Sequence, residues 1–201
     1  GHIPFVRRTE DVETMIIEVA GEALSSAGVD ASDVDAVFLG WFNGGMAEQD
    51  FGASLVMNGF EALRYKPATR VENACATGSA AIYQGIDFIG AGRGKVVLVV
   101  GVEKMTDVPP AEINRALLKA SYLKEEAGVA NGFAGVFGKI TQDYFQQHGD
   151  QSDALATIAA KNHRNGCANP WAQLHKDLGV AFCRIESEKN PGCSIHAPHR
   201  S

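Results

Sequence analysis

Thr69-Arg70-Val71-Glu72, then Asn73-Ala74-Cys75, then Ala76-Thr77-Gly78-Ser79-Ala80-Ala81-Ile82-Tyr83-Gln84-Gly85-Ile86-Asp87-Phe88-Ile89-Gly90, and finally Lys95-Val96-Val97-Leu98-Val99-Val100-Gly101, is the stretch that decides the fold. The first four residues read as a strand and Ala76–Gly90 as a helix. The Val/Leu run ending at Gly101 reads as a strand buried on both faces, since a continuous apolar run bounded by glycine has no solvent side. Strand, helix and strand at this spacing form a βαβ unit, which implies a parallel sheet with a right-handed crossover. Between Ala76 and Gly92 the helix carries one charge, Asp87. A helix apolar all round must be covered on all sides. One sheet covers one side, so another domain or another subunit is expected on the other.

Upstream, Val12, Met15, Ile16, Val19, Ala20, Ala23, Leu24 and Ala27 follow helical spacing. This predicts a helix from about Thr9, taken as N-cap, to Ala27, stopped by Gly28. Ala36-Val37-Phe38-Leu39 reads as a short buried strand ending at Gly40, and Gln49–Asn58 as a short helix. Downstream, Glu112–Lys119, Gly135–Gln147, Ser152–Asn165 and Trp171–Leu178 read as short helices between Gly-rich loops. The fold class is therefore α/β, a βαβ core sheet with a helical insertion. The division expected is a core over 1–109, a helical loop or lid over 110–190, and an irregular tail over 191–201.

Composition narrows the function classes. The 201 residues are 45% hydrophobic and 21% charged, with 22 Gly against 7 Pro, which suits a globular chain rich in tight turns. No apolar run reaches the ~18 residues of a membrane span. The start, from Gly1 to Arg8, lacks the order of a signal peptide, so the cytoplasm is the expected compartment. A net charge of −6 without a Lys/Arg block argues against a nucleic-acid partner.

The four cysteines, Cys75, Cys167, Cys183 and Cys193, form no C-x-x-C pair, so no zinc site is expected and the thiols read as reduced. Cys75 differs from the others in standing at the predicted start of a helix. A thiol there faces unpaired backbone N–H groups and the positive end of the helix dipole, which favour the nucleophilic thiolate. The alternative is a buried cysteine serving as a small apolar side chain. Cys167 and Cys183 read as structural, His163 as a polar contact and His175 as part of a solvated face. Cys193 and His196 read as part of a frayed terminus.

The run from Val71 to Ile89, with cysteine, small residue, Thr, Gly and Ser in order, resembles the acyl-enzyme segment of thiolases. Gly101-Val102-Glu103-Lys104-Met105-Thr106 resembles a second thiolase signature, and Lys161–Gln173 is similar to the sterol-carrier-protein-linked branch. The resemblance runs from Gly1 to about Pro191, the amino-terminal half of the family's chain. Many thiolases carry Asn where this chain has Glu72, three residues before Cys75. A carboxylate facing the thiol would oppose its ionisation, so Glu72 is expected to point away.

The resemblance implies an acyltransferase in which Cys75 attacks an acyl-coenzyme A and holds the acyl group covalently, for thiolytic cleavage or Claisen condensation. It implies coenzyme A thioester as substrate and no permanently bound cofactor or metal. Most coenzyme A contacts would come from the region 110–190, with Lys161 and Arg164 near the phosphates. A homodimer or higher oligomer is expected. The family's Gly-His-Pro and Cys-x-Gly motifs do not occur in the sequence. Two other readings remain open at this point: a ketoacyl synthase, and a non-catalytic module that self-associates.

Overall fold

Asp11 decides where the first helix begins. Its side-chain Oδ1 accepts the Thr14 N–H at 2.8 Å, so α1 runs Val12–Ala27. The expected N-cap, Thr9, lies outside it. Buried Lys104 explains the difference: its Nζ donates to the Glu10 carbonyl at 2.6 Å and pairs with Asp107 at 2.9 Å. Gly28, at φ 64°, ends α1 as expected. Val12, Ile16, Ala20 and Leu24 form its buried stripe.

The computed structural model describes residues 1–185. The expected tail, with Cys193 and His196, lies outside the described residues. The chain divides into two units, Gly1–Ala116 and Leu117–Ser201.

The first unit is built on a three-stranded parallel sheet of β1 (Ala36–Gly40), β2 (Ala68–Val71) and β3 (Val97–Gly101), in the order β2-β1-β3. The register pairs Gly40 with Val71 on one side and with Gly101 on the other. The strand–helix–strand unit is present, with α2 (Thr77–Gly90) as its crossover, but it straddles β1 instead of joining neighbours. All five residues of β1 are buried. Ile16, Val34, Val37, Leu39, Trp41, Val56 and Leu63 fill the α1 side of the sheet, each under 2% exposed. Ala36, Phe38 and Ala81 form the smaller core under α2.

Three sequence expectations change here. β3 is not buried on both faces: Leu98 and Val100 point into the main core, while Val97 and Val99 are half-buried beside α2. It also begins two residues late, because the Asp35 carboxylate takes the N–H groups of Lys95 (2.6 Å) and Val96 (3.1 Å). Those bonds hold the Asp35 carboxyl below its ordinary range. The stretch read as a helix over Gln49–Asn58 is a 3-10 helix, Gly52–Asn58, entered through Phe51 at φ 56°.

On α2, Thr77, Ala81 and Gly85 are buried, and the opposite face is open. Ile82, Tyr83, Ile86 and Ile89 are 42–65% exposed. α3, Pro110–Leu118, follows β3, and the division between the units falls in its last turn.

The second unit is helical over its described part: α4 (Leu123–Glu126), α5 (Gly132–His148), α6 (Ser152–Cys167) and α7 (Gly179–Arg184). α6 and α7 pack together, tied by Arg184 Nε to Asp153 Oδ1 at 2.6 Å. The expected helix at Trp171–Leu178 does not form. The Asn169 side chain accepts the Trp171 N–H at 3.0 Å and the Asp177 side chain accepts that of Gly179 at 3.2 Å. Such local side-chain turns compete with helix, and the helical segment starts only at Gly179.

Candidate active site

In open parallel sheets, ligands gather beyond the carboxyl ends of the strands. Here β1 runs into Trp41-Phe42-Asn43, β2 into Glu72–Ala76, and β3 into Val102-Glu103.

Cys75 lies in the turn after β2. A 3-10 turn, Ala74–Ala76, precedes α2, so the α-helix begins at Thr77 and not at Ala76. The thiol belongs to an exposed residue, and it is free. Among the described residues Cys75 is therefore not packed as a buried apolar side chain. Four hydrogen bonds define the turn. Thr77 Oγ1 accepts the Asn73 N–H at 2.8 Å and donates to the Ala74 carbonyl at 2.7 Å. Glu72 Oε1 accepts the Ala74 N–H at 2.6 Å, and the Ala76 N–H reaches the Asn73 carbonyl at 2.9 Å. The Glu72 carboxylate is thus engaged by the backbone of the turn. The N–H groups used are those of Asn73, Ala74 and Ala76, and that of Cys75 is not among them.

Arg70 and Glu103 tie down the neighbouring loop. Arg70 donates to the carbonyls of Trp41 (3.0 Å) and Phe42 (2.9 Å), pairs with Asp50 at 3.1 Å, and lies over the Trp41 ring. Glu103 Oε2 accepts the N–H groups of Phe42 (3.1 Å) and Asn43 (3.3 Å). Burial pushes the Glu103 carboxyl above the usual range, against the pull of those two N–H groups and of Arg70. Asn43, buried at φ 60°, closes the loop through two bonds to Ala47. Sequence reasoning assigned no supporting role to Arg70, Glu103 or Asn43. The available signal was a charge beside apolar strands, Arg70 within β2 and Glu103 just past β3.

The remaining expected residues stand in the second unit. Lys161 and Arg164 are exposed and one turn apart on α6. Cys167, expected to be structural, is exposed at the end of α6, its thiol 3.5 Å from the His163 carbonyl. Cys183 is half-buried on α7 and His163 half-buried on α6, while His175 is exposed in an irregular stretch. Among the described residues, no His/Cys/Asp/Glu cluster is arranged to hold a metal, and no helix is long and apolar enough to cross a membrane.

Comparison with known proteins covers nearly all of this architecture. The family described as "Thiolase, N-terminal domain" matches residues 4–187. An acetyl-CoA acetyltransferase of Methanothermobacter thermautotrophicus is 33% identical over 167 residues, 83% of this chain and 43% of the relative. That of Methanocaldococcus jannaschii is 35% identical over 162 residues, 80% of this chain and 41% of the relative. Sterol carrier protein 2 of Homo sapiens is 27% identical over 189 residues, 88% of this chain and 33% of the relative. The chain thus spans less than half the length of these curated relatives.

Proposed function

The chain belongs to the thiolase family, matching its N-terminal domain over residues 4–187, and from that premise we propose that Cys75 accepts an acyl group from a coenzyme A thioester. The supporting observation is the exposed thiol of Cys75 in the turn from β2 into α2, at the carboxyl edge of the parallel sheet. In the first step the thiolate attacks the thioester carbonyl. A sulfur–carbon bond forms and the carbonyl electron pair moves onto oxygen. The Cys75 N–H, outside the hydrogen bonds of the turn, is available to that oxyanion. Collapse expels the coenzyme A sulfur, which takes up the proton released by Cys75. In the second step the acyl group passes to another coenzyme A or to an acetyl-derived carbanion.

The test is direct. The chain incubated with acetyl-coenzyme A is expected to gain one acetyl group, mapped by mass spectrometry to Cys75 and lost in Cys75→Ala. An adduct on Cys167 in place of Cys75, or none, would refute the assignment.

The ketoacyl synthase reading is set aside, because the family matched is thiolase. We also propose that a second copy of the chain covers the free edge of β2 and the open face of α2. Ile82, Tyr83, Ile86 and Ile89 support this, since so much contiguous apolar surface marks an interaction site. Light scattering is expected to report at least a dimer at micromolar concentration, and a stable monomer would count against it.

A further inference from the structure

Ala74, immediately before Cys75, sits at φ 45°, in the left-handed region that crowds any residue carrying a Cβ. Side chains hold both of its backbone polar groups. Its N–H donates to the Glu72 carboxylate and its carbonyl accepts from the Thr77 hydroxyl, at 2.6 and 2.7 Å. The same hydroxyl oxygen accepts the Asn73 N–H, so one buried side chain fixes two successive residues. Thr77 is itself keyed to the sheet. A Cβ added at Gly40, the last residue of β1, would stand 3.2 Å from both the Thr77 methyl and its carbonyl oxygen. Strained backbone persists where its surroundings over-determine it, and here the strained residue adjoins the exposed thiol.

From this geometry we infer that Glu72 and Thr77 are positioning residues for Cys75: together they clamp Ala74 in the left-handed conformation, and the clamped turn sets the direction in which the thiol leaves the chain. The inference rests on Cys75 being the acyl acceptor. Neither residue touches the reacting carbonyl. They act by keeping the Cys75 sulfur and the nearby backbone N–H groups in one fixed arrangement. Glu72 thereby has a use for its carboxylate that does not involve the thiol.

The arrangement matters to attack on a carbonyl, where an oxyanion must be met by a donor, and not to simple displacement on an alkyl halide, where none forms. The experiment therefore compares two reagents on the 201-residue chain, 4-nitrophenyl acetate and iodoacetamide, with adducts at Cys75 and at exposed Cys167 counted by mass spectrometry. The measured quantity is the acylation-to-alkylation rate ratio at Cys75 relative to that at Cys167. Thr77→Val and Glu72→Ala are each expected to lower it by about tenfold, the loss of one well-aimed donor being worth more than that in mature active sites.

Thr77→Ser keeps the hydroxyl. Glu72→Gln keeps an acceptor while removing the charge, so it separates geometry from electrostatics. Both are expected to stay within about twofold of the parent. Ala74→Gly, which tolerates positive φ without crowding, should restore most of what Glu72→Ala loses. Ratios in Glu72→Ala and Thr77→Val that remain within about twofold of the parent overturn the inference. So does an equal loss from Glu72→Ala with and without Ala74→Gly. Glu72 is exposed, so its two variants decide the matter even where Thr77→Val disturbs folding. If the aryl ester behaves as described while acetyl-coenzyme A gives no adduct, the clamp stands and the proposed function falls.

Discussion

Supplied with coenzyme A and acetoacetyl-coenzyme A, the 201-residue chain is expected to show no coenzyme A-dependent cleavage above background, while still accepting an acyl group on Cys75. The thiolase resemblance implies a His in a Gly-His-Pro motif and a second Cys in a Cys-x-Gly motif, and the sequence contains neither. Each would move a proton to or from the reacting groups, and a positioned acid or base is typically worth about 10²- to 10⁴-fold. The first half-reaction needs only a thiolate and a thioester. The second needs the acyl group handed to a newly deprotonated acceptor, and the missing groups act there. A progress curve following the absorbance of the substrate's enolate form checks this. Turnover at ordinary enzyme rates, abolished by Cys75→Ala, would show that residues already in the chain do the proton transfers.

The largest effect on stability is expected at Trp41. Its side chain is 1% exposed, among the largest fully buried in the protein, and Leu39 lies in the same core. Gly52 faces the ring so closely that an added Cβ would fall 2.5 Å from ring atom Cε3. The Arg70 guanidinium lies over the ring, 5.3 Å from its centroid. Trp41→Ala removes the packing and leaves a cavity, at a cost of about 3–5 kcal/mol. Gly52→Ala overfills the same place and is expected to cost about 1–3 kcal/mol. Urea unfolding followed by far-ultraviolet circular dichroism measures both. A loss under about 1 kcal/mol for Trp41→Ala would mean that the loop collapses onto the space without penalty.

Local signals carried much of the fold. The apolar run at Ala36–Leu39 with its terminal glycine marked the central strand, and the spacing of Val12, Ile16, Ala20 and Leu24 marked the buried face of α1. The errors fall where a distant residue or a short side-chain turn takes over. Thr9 and Asp11 are both good caps by type. The choice between them involves Lys104, which binds the Glu10 carbonyl from more than ninety residues away. Asn169 and Asp177 broke the helix read into Trp171–Leu178 by satisfying backbone N–H groups locally. In the candidate site, the place of Cys75 between strand and helix was legible from the sequence. Arg70 and Glu103 were not, because both act on the loop after β1. That placement depends on the strand order β2-β1-β3, which no local pattern encodes.

That strand order also sets a timetable for synthesis. Among the three described strands β1 leaves the ribosome first, yet it is the one that pairs on both sides. Those partners lie about thirty and about sixty residues downstream. Until Val97–Gly101 emerges, Ala36–Gly40 presents a buried-type apolar strand with one edge unpaired, a form prone to pairing with other chains. Contacts of such separation close slowly, because the loop entropy is lost before any pairing offsets it. The nascent chain therefore has a long window in which this five-residue segment stays exposed, and slowing translation between Val71 and Val97 is expected to lengthen it.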